Sequence, residues 1–377
     1  MRRRLRNVFG TLALLLAALV AGGILVEAAL AALGYSARWG YTSSWALDDL
    51  RARYRLRPGV YPDLADCAAR INRLGARGPE PVHPRVLCLG DSCTFGVGLP
   101  EESVYASLLG ARGLEALNAG VPGYNSLTGL HHLQDSGLLA LRPEIVTIYF
   151  GWNDHWRGLA TEEAFYRVRR LARYSRAASI LLRLQACLWS NSPRWRPFRW
   201  VAQVPLPDFK DNLRLMVAAS RLAGARVVLI TAPTEPRLIA LDKSDFFDSR
   251  SLAEFADHPR YAQAVRDVAA ETGAGLIDLD AELARRASGD PHMYFLDFVH
   301  LNAKGHRLLA DMILAWAAAG RPPAPSRRGL PRLPPPRSGR APRKRSRRRA
   351  CAWPGSSARA RRSARSRIVR SCRSGAR

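Results

Sequence analysis

Short apolar runs alternate with helical patterns between residues 85 and 320, and this alternation constrains the fold more than any other feature. The runs contain few polar side chains, as is typical of strands buried on both faces of a parallel sheet. The strand candidates are 85–89, 114–118, 144–150, 226–231 and 275–279. The helical patterns lie near 126–140, 162–186, 208–223, 259–272 and 303–318. The sequence therefore predicts an α/β fold, a three-layer α/β/α sandwich around a parallel sheet.

The N-terminal segment is apolar enough to enter a membrane. Four arginines lie within residues 1–6, and residues 8–26 are uncharged and mostly Leu, Ala and Val, long enough to cross a bilayer as a helix. The arginines predict a cytoplasmic N-terminus and an extracytoplasmic body, periplasmic or extracellular. Ala29-Leu30-Ala31 also fits a signal-peptide cleavage site, but the apolar run is longer than a usual signal core. We therefore expect residues 1–34 to be a single-pass membrane anchor, with a cleaved signal segment as the alternative.

The strong positive charge of the chain is confined to its ends. The formal net charge is +27, but residues 321–377 hold 20 of the 58 Lys and Arg residues and no Asp or Glu. The other 320 residues carry 38 basic and 31 acidic side chains, which is ordinary for a globular protein. The tail is rich in Pro and Arg and almost lacks aliphatic residues, so we expect it to be disordered. A basic tail can bind anionic lipid or nucleic acid, and for an extracytoplasmic protein nucleic acid is not expected. The alternative to a binding role is that the tail is a translation artefact of a GC-rich gene.

Composition divides the remainder into two parts. Residues 35–83 form a turn-rich lead-in segment to which we assign no chemistry, and residues 84–320 form the α/β domain. Within that domain, residues 187–207 and 232–257 interrupt the pattern and are expected to shape a pocket or lid. The six cysteines include no Cys-x-x-Cys pair, which argues against a structural zinc site.

A serine follows the first predicted strand. The apolar run Val86 to Leu89 stops at Gly90, and Asp91 and Ser92 come next. Ser92 then lies beyond the carboxyl end of the strand, where open α/β sheets bind their ligands. At such a turn a serine is either a nucleophile or, more commonly, a helix N-cap.

A histidine and an aspartate precede the last predicted helix. A serine becomes a good nucleophile only when a base takes its proton, and the imidazole base needs a carboxylate to fix its tautomer. Asp297 and His300, three residues apart, supply both groups from one loop. His306 is an alternative base, but it falls inside the helical pattern and is more simply structural.

Two further loops carry groups that could bind an oxyanion. The loop after the second strand contains Gly120 and Gly123, and the loop after the third reads Gly151-Trp152-Asn153-Asp154. A glycine lets a backbone N–H approach closely, and an Asn amide adds a side-chain donor. Each loop alone is also ordinary turn chemistry, since Gly, Asn and Asp are common turn residues.

Taken together, these four blocks resemble those of the SGNH hydrolases, also called GDSL-type lipases and esterases. The matching residues, in chain order, are Gly90-Asp91-Ser92, the Gly123 loop, Gly151-x-Asn153-Asp154 and Asp297-x-x-His300. The resemblance covers about residues 84–318. It implies a flavodoxin-like sheet and hydrolysis of an ester substrate, such as an acylated glycan, without metal or organic cofactor.

The resemblance also implies a role for each site residue. Ser92 would be the nucleophile, His300 the base and Asp297 its orienting partner. The backbone N–H groups of Ser92 and Gly123 and the side chain of Asn153 would form the oxyanion hole. Cys93 replaces the family's usual Leu, with no effect expected on the chemistry. The phrases around Thr94–Gly98 and Phe150–Trp156 are similar to a membrane-anchored bacterial subset, whose relatives include polysaccharide O-acetyl esterases and transferases.

Several other functions remain open at this point. The same triad could serve an O-acyltransferase acting on a cell-envelope polysaccharide, with a sugar hydroxyl in place of water. A non-catalytic envelope protein could bind carbohydrate by stacking sugars on the tryptophans at 152, 156, 189, 195 and 200. A metal hydrolase could use His131, His132 and Asp135, which are more simply the polar face of a helix. A dinucleotide-binding loop is disfavoured because Gly96-x-Gly98 is followed by Glu101 instead of a third glycine.

Overall fold

The computed structural model describes residues 2–35, 44–49, 51–158, 160–172, 174–180, 201–239, 255–286 and 289–319. The predicted disordered tail lies outside these residues, as do most of the interruptions predicted at 187–207 and 232–257. The strands are β1 (Ala46–Asp49), β2 (Arg53–Leu56), β3 (Gly59–Tyr61), β4 (Ala69–Ile71), β5 (Val86–Gly90), β6 (Ala116–Gly120), β7 (Ile145–Tyr149), β8 (Arg157–Gly158), β9 (Val201–Ala202), β10 (Arg226–Ile230) and β11 (Gly275–Ile277). The helices are α1 (Arg2–Ala32), α2 (Ser92–Phe95), α3 (Tyr105–Gly110), α4 (Ser126–Asp135), α5 (Glu162–Ala172), α6 (Leu206–Leu222), α7 (Pro236–Ile239), α8 (His258–Thr272), α9 (Leu279–Arg286) and α10 (Ala303–Ala318).

Five parallel strands form the central sheet, in the order β6-β5-β7-β10-β11. This is the flavodoxin-like order 2-1-3-4-5, so the predicted α/β fold and its sheet are confirmed. The strand register aligns Gly90 with Gly120 on one side and with Tyr149 on the other. The carboxyl ends of these three strands therefore meet at one edge, from which the loops of the candidate site leave.

Alternating side chains of β5 enter two separate cores. Leu87 and Leu89 pack in the core under α4, α6 and α8, whereas Val86 and Cys88 pack in the core under α3 and α10. All five residues of β5 are buried, as are those of β7. Because burying one Val or Leu side chain contributes roughly 1.5–3 kcal/mol, the apolar runs fix the sheet firmly between its two helical layers.

Two glycines let the short helix α2 lie directly against the edge of the sheet. A Cβ atom at Gly90 would lie 2.7 Å from the carbonyl oxygen of Tyr149, and one at Gly120 would lie 2.3 Å from the amide nitrogen of Phe95. Both distances are shorter than any real Cβ contact. The backbone approach that these glycines permit sets the position of Ser92, the first residue of α2.

The lead-in segment is more regular than the sequence indicated. It contains two antiparallel strand pairs, β1 with β2 and β3 with β4. Tyr54, Leu56 and Ile71 from these strands pack in the same core as the central sheet. The strands are three or four residues long, and β1 and β2 each carry two charged side chains, so no apolar run marks them in the sequence. Residues 44–83 thus pack as part of the α/β body.

The N-terminal helix α1 contains the one stretch among the described residues that is long and apolar enough to cross a membrane. It runs from Phe9 to Ala32, with a mean hydropathy of 2.4 and no buried part. A signal sequence near an N-terminus would pass the same test, so length and composition leave both predicted alternatives open.

Candidate active site

Asp91 and Ser92, the first residues after β5, have different roles: Asp91 caps a helix, and Ser92 is the candidate nucleophile. Asp91 is the N-cap of α2, and its Oδ1 accepts a hydrogen bond from the Cys93 amide at 2.8 Å. The Ser92 side chain is therefore not needed as a cap. Its Oγ instead lies 2.9 Å from Nε2 of His300, which is 208 residues away in the chain.

The imidazole of His300 bridges Ser92 and Asp297. Its Nδ1 lies 2.7 Å from Oδ2 of Asp297, and a carboxylate in that position requires a proton on Nδ1. Nε2 is then the basic nitrogen and accepts the hydrogen bond of the Ser92 hydroxyl. The structure thus brings together the three side chains that the sequence predicts to act together.

Asp297 is held by its own loop. Oδ1 accepts hydrogen bonds from the backbone N–H groups of Val299 at 2.7 Å and His300 at 2.6 Å. Burial raises the pKa of Asp297, but the hydrogen bond from the His300 side chain and its charge outweigh burial, so the pKa lies below its ordinary value. The carboxylate therefore stays ionised and can stabilise a protonated His300.

His306, the alternative base, has a structural role. It is buried in α10, its ring stacks on that of Tyr105 at 5.8 Å, and its Nδ1 accepts a hydrogen bond from the Tyr105 amide at 3.2 Å. Burial lowers its pKa to about 3. A ring that is enclosed and already bonded cannot exchange protons with a substrate, which leaves His300 as the base candidate.

The two candidate glycines differ in whether their amides are available. The Gly120 amide donates to Oδ1 of Asn118 at 3.0 Å. Gly123 lies at an exposed turn with φ of +76°, a conformation that favours glycine, and its amide has no hydrogen-bond partner among the described residues. The Ser92 amide, at the start of α2, likewise has none there. Gly123 and Ser92 therefore fit a donor role better than Gly120 does.

The side-chain amide of Asn153 joins the two loops. Its Nδ2 donates to the carbonyl oxygen of Tyr124 at 2.8 Å and lies 3.3 Å from Oδ2 of Asp91. This second contact is the longer and weaker of the two hydrogen bonds, so it is the one that an oxyanion would displace. Asn153 is thereby linked to the neighbours of both Gly123 and Ser92.

Comparison with known proteins identifies the family. A model of the GDSL-like lipase/acylhydrolase family matches residues 88–308, which is more than half of the 377 residues. The chain belongs to the GDSL-like lipase/acylhydrolase family. It is therefore an ester-hydrolysing enzyme, as the resemblance in the sequence implied.

Solved structures include similar enzymes. A lipase/acylhydrolase from Enterococcus faecalis is 20% identical, with a TM-score of 0.39, over 61% of this chain and 93% of that one. The acetyl xylan esterase AlAXEase is 21% identical, with a TM-score of 0.40, over 61% and 98%. Axe2, an acetylxylan esterase from Geobacillus stearothermophilus, is 19% identical, with a TM-score of 0.37, over 61% and 92%. No match was found among curated proteins. The family match alone carries the assignment.

In this GDSL-like enzyme, two buried carboxyl groups lie beneath the site. Asp91 caps α2, and burial raises its pKa to about 6. Burial raises the pKa of Asp154 to about 7, and the nearby charge of Asp91 adds to the rise. Oδ1 of Asp154 accepts a hydrogen bond from the Ser126 amide at 2.8 Å, and its Oδ2 is buried without a partner. These carboxyls connect the loop of Asn153 with the start of α4.

The structure excludes one of the five tryptophans of the carbohydrate-binding alternative. Trp152 is 1% exposed and donates its indole N–H to the Pro233 carbonyl at 3.1 Å, so the expectation that it stacks on a sugar is wrong. Trp189, Trp195 and Trp200 lie outside the described residues.

Two of the three metal-ligand candidates form contacts with the lead-in segment. His131 lies with Nδ1 2.9 Å from the Arg51 carbonyl oxygen, and Asp135 pairs with the Arg51 guanidinium at 2.7 Å. His131 and His132 are buried by tertiary packing, so the prediction that they cover a polar helix face is wrong. No group of three or more metal-ligating side chains occurs among the described residues.

Sequence reasoning missed Arg77 of the lead-in segment, which fixes the end of α2. Its guanidinium is buried and donates to the carbonyl oxygens of Phe95, Gly96 and Leu99 at 2.7, 2.8 and 2.6 Å. Carbonyls at the end of a helix lack intrahelical partners, and a buried cation there is favourable. No spacing in the sequence points to this contact, because Arg77 precedes these carbonyls by 18 to 22 residues.

Proposed function

We propose that this family member is a serine esterase that cleaves carboxylic esters through Ser92, His300 and Asp297. The observation that carries the proposal is the continuous chain of hydrogen bonds from Asp297 Oδ2 through His300 to Ser92 Oγ, at 2.7 and 2.9 Å. This is the arrangement of nucleophile, base and orienting carboxylate that activates a serine.

The mechanism follows from the roles of these atoms. Ser92 Oγ attacks the ester carbonyl while its proton passes to Nε2 of His300, and Asp297 stabilises the imidazolium. The protonated His300 then gives the proton to the leaving alcohol, which leaves an acyl group on Ser92. Water activated by His300 attacks this acyl-enzyme and releases the carboxylic acid, restoring the free serine.

The oxyanion of each tetrahedral intermediate needs donors of fixed position. We assign them to the backbone N–H groups of Ser92 and Gly123, which lack partners in the described part of the chain, and to the Asn153 side chain, whose long hydrogen bond to Asp91 an oxyanion can replace. Donors held by a rigid loop stabilise the developing charge without reorganisation.

The test uses the full chain in mild detergent with p-nitrophenyl acetate and octanoate as substrates. We expect Ser92→Ala and His300→Ala to lose essentially all hydrolysis while remaining folded. Ser107→Ala and His83→Ala are matched controls, since Ser107 is half-buried on α3 and His83 is exposed. Undiminished hydrolysis by a folded Ser92→Ala variant would contradict the assignment. The alternative, acyl transfer to a sugar, uses the same residues. With an added sugar, hydrolysis releases one molecule of free acid for each p-nitrophenol, whereas acyl transfer releases less free acid than p-nitrophenol.

We also propose that α1 is retained as a membrane anchor and that residues 44–319 are the extracytoplasmic body. Glu27 on α1 accepts hydrogen bonds from the Ser175 hydroxyl and from the amides of Arg176 and Ala177, at 2.6, 2.9 and 3.0 Å. The Arg176 guanidinium also donates to the Tyr35 carbonyl at 3.0 Å. A segment with partners in the body has a structural role that a discarded signal peptide would lack.

N-terminal sequencing of the membrane-extracted protein tests the anchor. We expect the mature chain to begin before residue 8 and to sediment with membranes after a high-salt wash. A mature chain that begins after residue 31 would contradict the proposal. This experiment is independent of the esterase assay.

A further inference from the structure

Tyr54 stands out among residues outside the matched family region. It lies on β2 of the lead-in segment, whereas the family match begins at residue 88. Its side chain is 6% exposed and belongs to the main core. Tyr54 nevertheless contacts the loop that contains Gly123.

Tyr54 binds the residues on both sides of Gly123. Its hydroxyl donates to the carbonyl oxygen of Pro122, and its own carbonyl accepts a hydrogen bond from the hydroxyl of Tyr124. The two tyrosine rings also meet edge to face, 5.7 Å apart. A Cβ atom at Gly123 would be in ordinary van der Waals contact with the Tyr54 hydroxyl, at 3.9 Å. The exposed turn that carries the Gly123 amide is thus held from beneath at both of its neighbours.

The same contacts reach the third proposed oxyanion donor. The carbonyl oxygen of Tyr124 accepts the hydrogen bond from Asn153 Nδ2 at 2.8 Å. Any shift of Tyr124 therefore moves the acceptor that orients the Asn153 amide. One residue of the lead-in segment is linked in this way to both the Gly123 and the Asn153 donors.

The strand that carries Tyr54 is itself fixed to the body. Arg51 forms two hydrogen bonds with Asp135 of α4, at 2.7 and 2.9 Å. Arg53 pairs with the buried carboxylate of Glu162 on α5. The two ion pairs lie just before Tyr54 in the sequence and join this part of the lead-in segment to two different helices of the body.

We propose that Tyr54 is a positioning residue for the oxyanion hole, holding the Gly123 and Asn153 donors where the tetrahedral intermediate needs them. The inference rests on the proposed function, since it assumes that these two groups bind the oxyanion. Donors placed for a transition state contribute through their fixed geometry, and a displacement of about 1 Å can cost on the order of 10²-fold in rate.

The experiment compares Tyr54→Phe with the wild-type full chain in mild detergent. Tyr54→Phe keeps the ring in the core and removes the hydroxyl that donates to the Pro122 carbonyl. We expect kcat for p-nitrophenyl acetate to fall about tenfold with KM unchanged, because complete loss of one donor costs about 10²–10³ and here both donors remain. Tyr61→Phe is the matched control: this tyrosine of β3 donates to the Arg57 carbonyl at 2.9 Å and touches no part of the proposed site.

A second readout separates positioning from stability. An aryl boronic acid forms a tetrahedral adduct with a reactive serine, so its inhibition constant should rise by the same factor by which kcat/KM falls. If Tyr54→Phe lost activity only because it is less stable, its kcat would return to the wild-type value on cooling well below its melting temperature. Such a recovery would overturn the inference. The double variant Tyr54→Phe/Asn153→Ala should lose less than the product of the two single losses, because the part of the Tyr54 effect that reaches the Asn153 amide is absent once that amide is removed.

The outcomes distinguish this inference from the proposed function. If Ser92→Ala and Asn153→Ala lose activity but Tyr54→Phe behaves like Tyr61→Phe, the positioning role is wrong and the proposed esterase stands. If Ser92→Ala keeps full activity, the proposed function is wrong, and the inference fails with it.

Discussion

The buried carboxyl of Asp154 makes the stability of this protein depend on pH, and Asp154→Asn isolates the effect. The side chain is fully buried, directly after Asn153 in the chain. One oxygen accepts a hydrogen bond from the Ser126 amide at 2.8 Å, and the other has no partner in the described part of the chain. The amide of Asn has nearly the same shape and can keep the bond from Ser126 through its oxygen, but it cannot ionise.

The size and sign follow from the shifted pKa. Burial raises the pKa of Asp154 from 3.8 to about 7, so between these pH values the folded state binds a proton that the unfolded state has lost. The free energy of unfolding therefore falls as pH rises through this interval. At about 1.36 kcal/mol per pKa unit, the interval corresponds to about 4 kcal/mol. This is large against a total stability of about 5–15 kcal/mol.

The assay is urea unfolding of the wild type and of Asp154→Asn in mild detergent, followed by tryptophan fluorescence from pH 4 to pH 8. Other titrating groups contribute to both proteins, so the difference between the two curves isolates Asp154. We expect similar stability at pH 4 and a wild type that is less stable than Asp154→Asn by up to about 4 kcal/mol at pH 8. Asp208→Asn, at an exposed position of α6, should parallel the wild type. Parallel curves for Asp154→Asn and the wild type would refute the argument from burial.

Three further substitutions test one proposed oxyanion donor and two residues that hold helix α2 against the sheet. Asn153→Ala should lower kcat by about 10²–10³ with little change in KM, measured with p-nitrophenyl acetate, because it removes one oxyanion donor. Gly120→Ala should destabilise the protein by more than the roughly 1–3 kcal/mol of ordinary overpacking, since the new Cβ meets backbone 2.3 Å away; thermal unfolding checks this. Arg77→Met should cost about 3 kcal/mol or more in urea unfolding, because three buried carbonyls lose a charged donor.

The central sheet and the residues of the candidate site could be located in advance because both follow local sequence patterns. Each central strand is a short apolar run, and the observed bounds lie within about two residues of those predicted. The candidate residues follow the strand ends directly or precede α10, so the topology alone brings them to one edge. Asn302 is the N-cap of α10, where its Oδ1 accepts hydrogen bonds from the Lys304 and Gly305 amides, and an Asn just before an apolar helical pattern is a typical helix start.

The remaining features depend on contacts between distant segments. Tyr54 and Pro122 are 68 residues apart, and neither the charged strand β2 nor the turn at Pro122 shows a pattern that pairs them. Trp152 and His131 are amphipathic residues whose burial depends on distant segments: Trp152 contacts Pro233 and His258, and His131 contacts Arg51. The cap of α2 was ambiguous for a different reason: Asp91 and Ser92 are both good caps, and only the bond to Cys93 separates them.

A final prediction concerns a chain trimmed to residues 84–319, close to the matched family region, compared with residues 44–319. The trimmed chain lacks Arg77, which holds the end of α2, and Tyr54, which holds the Gly123 loop. It also lacks Leu56, Leu64 and Ile71, which are buried in the core beside the sheet. At roughly 1.5–3 kcal/mol for each large apolar side chain, these losses alone approach the whole stability of an ordinary domain.

We therefore expect residues 84–319 to lack a cooperative unfolding transition by near-ultraviolet circular dichroism and to have no esterase activity, whereas residues 44–319 keep both. A trimmed chain that unfolds cooperatively but has a lowered kcat would contradict the stabilising role of the lead-in segment and would still agree with the positioning role of Tyr54. A trimmed chain with full activity would contradict both, because the nucleophile helix and the Gly123 loop would then need no support from the lead-in segment.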